Sequence, residues 1–451
     1  IMFDKIKQFI TRNLFNEAFL KYIGGTYTSY DANNKTYMDK GYNMNPDVYA
    51  CISQMATKTV SVPYFVKKID DKEQYRKIKH LDLATKGNLS LSQFIKRVKL
   101  ETKAYKDEEM AFPMERPNEL QTWSDIWFLY KVYMRITGNC YFYMMSPEEG
   151  VNKGVPVQLY VLPAHLVQII IKDKAELLGV ENPIKEYVLI EGTSFIKFPA
   201  EQIIHFKFPN PNFDFNGEHL YGMSPLRAAL RNINSQNSAI DLGVQTLQNG
   251  GAFGFIHGKT SPLSPEQAQS LKDRLTEMQA SSAPLGRIAG SSAEVGFTRI
   301  SLTADELKPF MYLDWDRKTI CNVLGWSDEL LNNDGKARLG SSDTGEARKQ
   351  VVTDNIQPDL KILEEGLNSK FLPRFKGYEN TVIEWDISEL PEMQKDMKEM
   401  AETLNLLPLK PNEIRTAFKW ETLEEEGMDV VWINSGKQRI DDYNPNDITQ
   451  L

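Results

Sequence analysis

The sequence predicts an α+β protein of several parts, in which a mixed body is joined to a small module by two long helices. Helical and strand patterns alternate from about residue 46 to 220, as expected of an α+β body. A long, capped helical pattern follows between Ser224 and Gly250, and a second long helix returns after a short α/β stretch. With 451 residues, the chain is long enough for more than one domain.

The body is expected to begin with a helix that Pro46 opens and Pro63 ends. The residues before it, 1–45, predict an N-terminal arm that is polar and flexible in its second half. Two more helices are expected over 90–104 and 123–137. Short alternating runs bounded by turn residues predict strands, which lie at 64–69, 140–145, 157–162, 166–171, 186–191, 194–198 and 203–208.

The long helix is marked by Ser224 as its N-cap and by Pro225 at the first helical position. Its apolar residues recur at alternating spacings of four and three, which is a heptad seam with one polar member, Asn237. Asn237 either fixes the register against a neighbouring helix or is simply exposed, and the pattern leaves both open. The seam positions expected to pack against another helix are Leu230, Ile233, Asn237, Ile240 and Val244.

Residues 252–302 predict the small α/β module. A strand pattern at 253–257 precedes Ser264 and Gln267, which suit the N-cap and the capping box of a helix. Glycines between apolar runs at 287–300 are typical of hairpin strands. The side chains expected to face inward from the helix are Ala268, Leu271, Leu275 and Met278.

The second long helix, over 303–326, leads to a polar segment at 327–343 that has no secondary-structure pattern. A structureless loop of this length inside a compact domain is usually functional or disordered. A further helix then runs to about Leu372, and Pro358 within it removes one backbone hydrogen bond and predicts a kink. A strand and two acidic helices follow, at 381–385, 391–404 and 410–418.

Charge is distributed unevenly along the chain. The net charge is −8, and the segment from Glu384 to Asp429 has thirteen acidic and five basic residues, which equals that excess. The rest is close to neutral, so the sequence lacks the basic face of a protein that reads nucleic-acid sequence. Any DNA partner must therefore tolerate weak or repulsive electrostatics.

No group of residues predicts a catalytic or cofactor site. The tripeptide at 258–260 lacks the earlier glycine of a phosphate-binding loop, because Phe253 stands there. The five histidines show no metal-ligand spacing. Asp214, Glu218 and His219 could be arranged as a nuclease site, although a polar loop explains them more simply. Aromatic residues at helical spacing predict core packing before a ligand platform, and they are Trp123, Trp127, Phe128, Tyr130 and Tyr133.

Cys51, Cys140 and Cys321 are widely separated, and each lies in an apolar run. An odd number of cysteines without paired spacing predicts reduced, buried thiols, as in a cytoplasmic protein. No apolar run approaches the length of about 18 residues that would suggest a membrane span.

Seven short segments occur in an order that resembles the portal proteins of tailed bacteriophages, in the branch found in many long-tailed phages. Each segment alone is weak evidence for this family. Seven segments in the family's order are a specific resemblance. The resemblance spans about residues 46–405. The segments are Val48–Ile52 with Val60–Pro63, Arg116–Asn118 with Thr122, Thr137–Tyr141, Ile204–Lys207, Tyr221–Leu226, Asn249–Gly250 and Val323–Trp326.

This resemblance implies a dodecameric ring at one capsid vertex, located in the virion and assembled in the host cytoplasm, with a channel for double-stranded DNA. Each subunit of such a ring has an α+β wing, a two-helix stem, a small α/β clip, a kinked long helix and an α-helical crown. The corresponding ranges are 1–45 for the N-terminal arm, 46–224 for the wing, 225–251 for the first stem helix, 252–302 for the clip, 303–326 for the second stem helix, 327–343 for the tunnel loop, 344–383 for the kinked helix and the completion of the wing, and 384–451 for the crown and C-terminal tail.

The resemblance also implies partners. The terminase large subunit would dock during DNA packaging, the head–tail connector would later replace it, and the major capsid protein would hold the ring in the shell. The chain shows no ATPase motif, and it is expected to be neither an enzyme nor dependent on a cofactor. Two alternatives stay open, namely a phage DNA-processing enzyme such as a nuclease, and a minor capsid or scaffold protein without a channel.

Two sets of residues are candidates for contacts. In the tunnel loop, Lys336 and Arg338 are expected to touch DNA phosphates transiently, because many strong contacts would stall sliding. The polar residues expected to line the constriction beside them are Asn332, Asn333, Ser341 and Ser342. Basic residues of the clip are either partner contacts or ordinary surface charge, and they are Lys272, Arg274 and Arg287.

Overall fold

A computed structural model provides the fold. It describes residues 33–85, 104–147, 149–172, 182–191, 194–212, 217–248, 254–258, 264–280, 295–299, 309–331, 342–393 and 410–417, together with a few isolated positions. Helices and strands alternate through these residues, and the predicted α+β class is confirmed.

The first described element, α1 (Asn33–Thr36), continues as π-helical turns over Tyr37–Asn43. Tyr37 is buried in the core, so the prediction of a flexible arm up to residue 45 is wrong for residues 33–43. Asn45 then caps α2 (Pro46–Val60), because its side-chain oxygen accepts a hydrogen bond from the Val48 backbone N–H at 3.0 Å.

Three elements follow α2, namely β1 (Tyr64–Ile69), α3 (Lys72–Thr85) and β2 (Tyr105–Met110). The sequence pattern predicts β1 alone. Charged residues are frequent in α3 and β2 and obscure their helical and strand periods, while Ile78 supplies a buried anchor for α3. The helix predicted over 90–104 lies largely outside the described residues.

The next helix, α4 (Trp123–Thr137), is fixed at both ends. Thr122 and Asp125 form a complete capping box, and Gly138 ends the helix in the left-handed region at a φ of 74°. Trp127 and Tyr130 are buried, which confirms the core packing predicted for the aromatic residues of this helix.

Six strands follow α4 where the alternation predicts them, namely β3 (Asn139–Met145), β4 (Gln158–Leu162), β5 (Val167–Ile171), β6 (Ile184–Glu191), β7 (Ser194–Pro199) and β8 (Ile203–Lys207). They form two antiparallel sheets, with strand orders β4-β3-β8 and β5-β6-β7. The second sheet has a core of its own, which includes Tyr141, Ile169 and Tyr187.

The predicted long helix is α5 (Leu226–Gln248), with 23 residues. After it come β9 (Gly254–Gly258), α6 (Pro265–Ala280) and β10 (Val295–Arg299). The two strands pair antiparallel, with Phe297 opposite Ile256. The structure therefore contains the strands and the helix that were predicted for the module.

The capping box of α6 is present as predicted. Ser264 N–H donates to Gln267 Oε1 at 3.1 Å, and Gln267 N–H donates to Ser264 Oγ at 3.2 Å. Ala268, which was expected to face inward, is exposed in this single chain. The inward face predicted for this helix is therefore not covered at Ala268.

The second long helix is α7 (Pro309–Leu324), which packs along α5. Gly325 ends α7 in the left-handed region at a φ of 72°, and the Trp326 N–H donates to the Cys321 carbonyl at 2.9 Å. A helical turn at Asp328–Leu330 follows.

Pro358 is accommodated by a π-helical turn. α8 (Ser342–Val351) passes into the π-helical residues Val352–Ile356 and then into α9 (Gln357–Gly366), which has Pro358 in its first turn. The Gln357 N–H donates to the Val352 carbonyl, five residues earlier. The irregularity predicted at Pro358 thus takes the form of one wider helical turn.

The remaining elements are β11 (Thr381–Trp385), α10 (Pro411–Ala417), β12 (Trp432–Ile433) and β13 (Gln438–Arg439). β11 pairs antiparallel with β1 in a sheet of order β11-β1-β2. A late segment of the chain therefore completes a sheet that an early segment begins.

One large apolar core joins the body to the near halves of both long helices. Leu226 and Ile233 of α5 and Ile320 and Leu324 of α7 are fully buried in it. The long helices are therefore rooted in the body along part of their length.

Candidate functional site

Three apolar side chains within little more than one turn of α5 are exposed. Ile240 is 39% exposed, Leu242 37% and Val244 46%, while Trp315 on the adjacent α7 is 60% exposed. Neighbouring exposed apolar side chains of this kind make this part of α5 a candidate for contact with another molecule. Of the predicted seam, Leu230 and Ile233 pack on the core of their own chain, and Ile240 and Val244 do not.

Asn237 lies in a polar layer between the buried and exposed halves of α5. Its side-chain oxygen accepts a hydrogen bond from Asn45 Nδ2 at 3.0 Å, and its Nδ2 donates to the Lys40 carbonyl at 2.9 Å. Asn45 Nδ2 also donates to Gln236 Oε1 at 2.6 Å. Both ends of the Asn237 amide are therefore used within the chain, and a role in register between chains stays a prediction.

The junction between body and stem brings together two of the segments that carry the family resemblance. Asn139 Oδ1 accepts a hydrogen bond from the Gly222 N–H at 2.6 Å. Ser224 Oγ donates to the Ile136 carbonyl at 2.5 Å and accepts from the Leu226 N–H at 3.1 Å. The end of α4 and the start of α5 are thus joined by hydrogen bonds.

Glycine is required at this junction by close backbone contact. A Cβ atom on Gly222 would lie 2.0 Å from the Gly138 carbonyl oxygen, and one on Gly138 would lie 2.4 Å from the Met223 carbonyl oxygen. A third resembling segment also reaches the junction, since the His205 Nε2 lies 3.0 Å from Asn139 Oδ1. Burial holds the pKa of His205 well below its usual range, so this imidazole is neutral.

A buried cationic cluster lies behind the start of the predicted tunnel loop, and its members are Lys131, Arg135, Asn355 and Asp359. Lys131 Nζ donates to Asp359 Oδ2 at 2.5 Å and to Asn355 Oδ1 at 3.0 Å. Arg135 donates to Asp359 Oδ2 at 2.7 Å and also contacts Asn355 Oδ1. Burial, together with the neighbouring Arg135, lowers the pKa of Lys131 to about 7.

Sequence reasoning missed this cluster. The available signal was a pair of cations four residues apart, Lys131 and Arg135, inside an otherwise apolar and aromatic helix. A long basic side chain on such a helix is normally expected to extend to solvent. Here Lys131 is 0% exposed.

The proposed DNA contacts fall mostly beyond the described part of the chain. Ser342 begins α8. The other tunnel-loop candidates, Asn332, Asn333, Lys336, Arg338 and Ser341, lie outside the described residues. In the predicted clip, Lys272 is exposed on α6 and Arg274 follows on the same helix, while Arg287 lies outside the described residues. The roles given to these residues stay predictions.

In the part of the chain that the structure describes, no three or more His, Cys, Asp or Glu residues are placed to hold a metal ion. Glu218, one candidate for a nuclease site, forms an ion pair with Arg227 at 2.5 Å. Across the same described ranges, no helix is long and apolar enough to cross a membrane.

The three cysteines are free and buried, as predicted. Cys51 of α2 and Cys321 of α7 face each other, with 3.6 Å between their sulfur atoms. Burial raises the pKa of Cys140 well above its usual value. Both observations are consistent with thiols that are protonated and act as small core residues.

The fold thus combines an α+β body with two long helices that pack along each other and are rooted in its core. A family model described as "Phage portal protein" matches residues 83–418. The chain therefore belongs to the phage portal protein family, and the resemblance inferred from the sequence is confirmed.

Among solved structures, those of gene transfer agent particles share this fold at low sequence identity. One, from the "Neck of native GTA particle computed with C12 symmetry", has 16% identity and a TM-score of 0.59, and the match covers 91% of this chain and 99% of that chain. Another, from the "Virion of native gene transfer agent (GTA) particle", has 17% identity, a TM-score of 0.57 and coverages of 90% and 99%. An HK97-family phage portal protein from Corynebacterium diphtheriae has 12% identity, a TM-score of 0.45 and coverages of 85% and 100%. No curated protein matches the chain.

Proposed function

We propose that this protein forms a ring at one vertex of a phage capsid and conducts double-stranded DNA through the centre of that ring. The observation that carries the proposal is the exposed apolar half of the stem, on a chain of the phage portal protein family. In a ring, this part of each stem lies against the stem of the next copy. Such an interface is heterologous, because it joins two different faces of the chain. Copies related by the same repeated rotation then close into a ring.

A dodecamer is the ring size that we propose. Two similar neck structures of GTA particles were computed with C12 and with C6 symmetry, and twelve copies are compatible with both. The ring belongs to the virion, and its subunits assemble in the host cytoplasm, where reduced cysteines such as the buried Cys51 and Cys321 are the normal state.

The channel wall should hold DNA weakly. The tunnel loop at 327–343 has four acidic and two basic residues, and each phosphate contact by a cation adds affinity and salt dependence. Lys336 and Arg338 therefore touch phosphates without anchoring them. The polar residues beside them, Asn332, Asn333, Ser341 and Ser342, line the constriction.

The clip is the proposed docking site for the machinery outside the capsid. The terminase large subunit binds there during packaging, and the head–tail connector takes its place afterwards. Lys272, Arg274 and Arg287 supply positive charge for these contacts. The major capsid protein holds the ring in the shell.

Negative-stain imaging and mass photometry of the purified protein test the proposal. We expect rings with a central hole and a mass that is a multiple of the 51.7 kDa chain. A stable monomer at micromolar concentration would contradict the ring. Metal-dependent cleavage of DNA by the purified protein would favour the nuclease alternative, and incorporation into capsids without a ring would favour a minor capsid or scaffold protein.

A further inference from the structure

The end of α7, from which the predicted tunnel loop starts, is held by one buried side chain. Asn355 Nδ2 donates to the Leu324 carbonyl at 2.7 Å and to the Gly325 carbonyl at 3.0 Å. Leu324 is the last residue of α7, and Asn355 lies in the π-helical turn that follows α8. One amide group thus connects the end of α7 with the π turn beyond α8.

The backbone conformation of Gly325 and its lack of a side chain allow this contact. It adopts a φ of 72°, and a Cβ atom at this position would lie 2.8 Å from Asn355 Nδ2. A carbonyl at the end of a helix has no partner within that helix. Asn355 supplies the missing donor to Leu324, so the end of α7 is held by a side chain from beyond the loop.

The other end of the Asn355 amide is held just as firmly by the buried cationic cluster. Asn355 Oδ1 accepts from Lys131 and Arg135, and the Asn355 backbone carbonyl accepts from each of them at 3.2 Å. That carbonyl belongs to the π-helical turn Val352–Ile356. The orientation of the amide is therefore determined from both sides, with oxygen toward the cations and nitrogen toward α7.

The charge count shows why Asn355 is needed. Lys131 is 0% exposed, Arg135 9% and Asp359 3%, so two basic side chains with several donor groups face a single carboxylate in the core. Lys131 is charged for only part of the time at neutral pH, since its pKa is lowered to about 7. A buried charge without a partner is strongly destabilising. The two oxygens of Asn355 provide the acceptors that Asp359 alone does not, and this requirement fixes the π turn against α4.

We propose that Asn355 is a positioning residue that fixes the end of α7 and the π turn beyond α8 to helix α4. The residue at which the predicted tunnel loop leaves α7 then keeps its place on the body. The importance of this for DNA passage rests on the proposed function, whereas the fixing of α7 to α4 does not.

Three variants distinguish the contact of Asn355 with the end of α7 from its contact with the buried cationic cluster. Asn355→Asp keeps acceptors for Lys131 and Arg135 but places a carboxylate oxygen against the carbonyls of Leu324 and Gly325. Lys131→Met removes one cation, leaves the Arg135–Asp359 pair, and keeps the Asn355 contact with α7. Asp354→Asn is the matched control, because Asp354 is exposed on the same turn.

Hydrogen–deuterium exchange on the purified full chain tests the proposal. In Asn355→Asp we expect exchange over 321–331 and 342–356 to rise at least about tenfold, as hydrogen bonds in the local structure are lost, with β3 and β8 unchanged. Lys131→Met and Asp354→Asn should stay within about twofold of wild type over 321–331. An even rise across the whole wing would show that Asn355 acts only on global stability, and no rise at all would also overturn the proposal.

A second variant covers the case in which Asn355→Asp does not fold. Gly325→Ala disturbs the same contact from the loop side and should give the same local pattern, and unchanged exchange in it would count against the proposal. Because exchange is measured without DNA or terminase, the result does not depend on whether the ring conducts DNA. Normal packaging together with increased local exchange would leave the positioning role in place and remove the proposed link to DNA passage.

Discussion

At the residue scale, single buried charges hold together segments that are distant in sequence. Glu364 of α9 accepts a hydrogen bond from the Trp385 N–H of β11 at 2.9 Å and lies 3.5 Å from Lys79 Nζ of α3. Burial raises the pKa of Glu364 to about 7, although Lys79 acts in the opposite direction. The carboxyl group thus ties a helix, a strand and a second helix together while sitting in an environment that disfavours its charge.

This raised pKa predicts a pH dependence of stability. Between the ordinary pKa of 4.5 and the folded-state pKa of about 7, the folded chain binds the proton more tightly than the unfolded chain. The contribution of Glu364 is therefore fully present below about pH 4.5 and is lost as the pH rises through about 7. Glu364→Gln keeps an acceptor for Trp385 and removes the titration.

Chemical denaturation at several pH values between about 5 and 8 measures this effect. Relative to Glu364→Gln, the free energy of unfolding of the wild type should fall by roughly 3 kcal/mol at most over this interval. Glu365→Gln, at the exposed neighbouring position, should behave as the wild type does. Parallel curves for wild type and Glu364→Gln would rule out the raised pKa.

At the element scale, the parts of the fold that the sequence predicts are those with a local signal. The six strands after α4 follow from alternation, and α5 and α6 follow from capping residues and periodicity. α3 and β2 have no such signal, because charged residues obscure their periods. The π turn before Pro358 is an intermediate case, since proline predicts a break in the helix but not how the chain accommodates it.

The candidate site likewise has parts that the sequence predicts and parts that it does not. The heptad seam marks α5 as a packing helix, but the pattern does not say that Ile233 meets its own chain while Val244 is left exposed. The buried cationic cluster has still less local signal, because Lys131 and Asn355 are 224 positions apart in the sequence. Such contacts depend on the arrangement of whole elements, which single-sequence periodicity does not contain.

The exposed half of α5 yields a prediction for assembly. Val244→Asp places a carboxylate in the proposed contact between stems, where an unpaired buried charge is costly. Mass photometry should therefore show monomers in place of rings, while circular dichroism shows a folded chain. Ser238→Asp, on the other side of the same helix, carries the same added charge at an exposed polar position and should still form rings. Rings of normal size in Val244→Asp would contradict a stem interface at this position.

At the scale of the whole molecule, charge is distributed unevenly along the chain. The segment from Glu384 to Asp429 has an acidic excess equal to the net charge of −8, and two cations, Lys131 and Arg135, are turned into the core. In the tunnel loop, acidic residues outnumber Lys336 and Arg338. In a ring, every loop cation is repeated once per copy, so a weak contact per chain becomes a substantial one around the DNA. Weak, repeated contacts are suited to a polymer that must slide and yet be retained.

The last prediction follows from this repetition. The double variant Lys336→Ala with Arg338→Ala removes one ring of each cation without touching the stem, so rings should assemble normally. DNA content of assembled particles should fall by roughly several-fold at moderate salt, and the difference from wild type should shrink as salt rises, because ionic contacts to phosphate are screened. Lys376→Ala, an exposed cation of the wing, is the matched control and should retain wild-type DNA content. Unchanged DNA content in the double variant would show that these cations do not hold the DNA, and the constriction would then act through its width and its polar side chains alone.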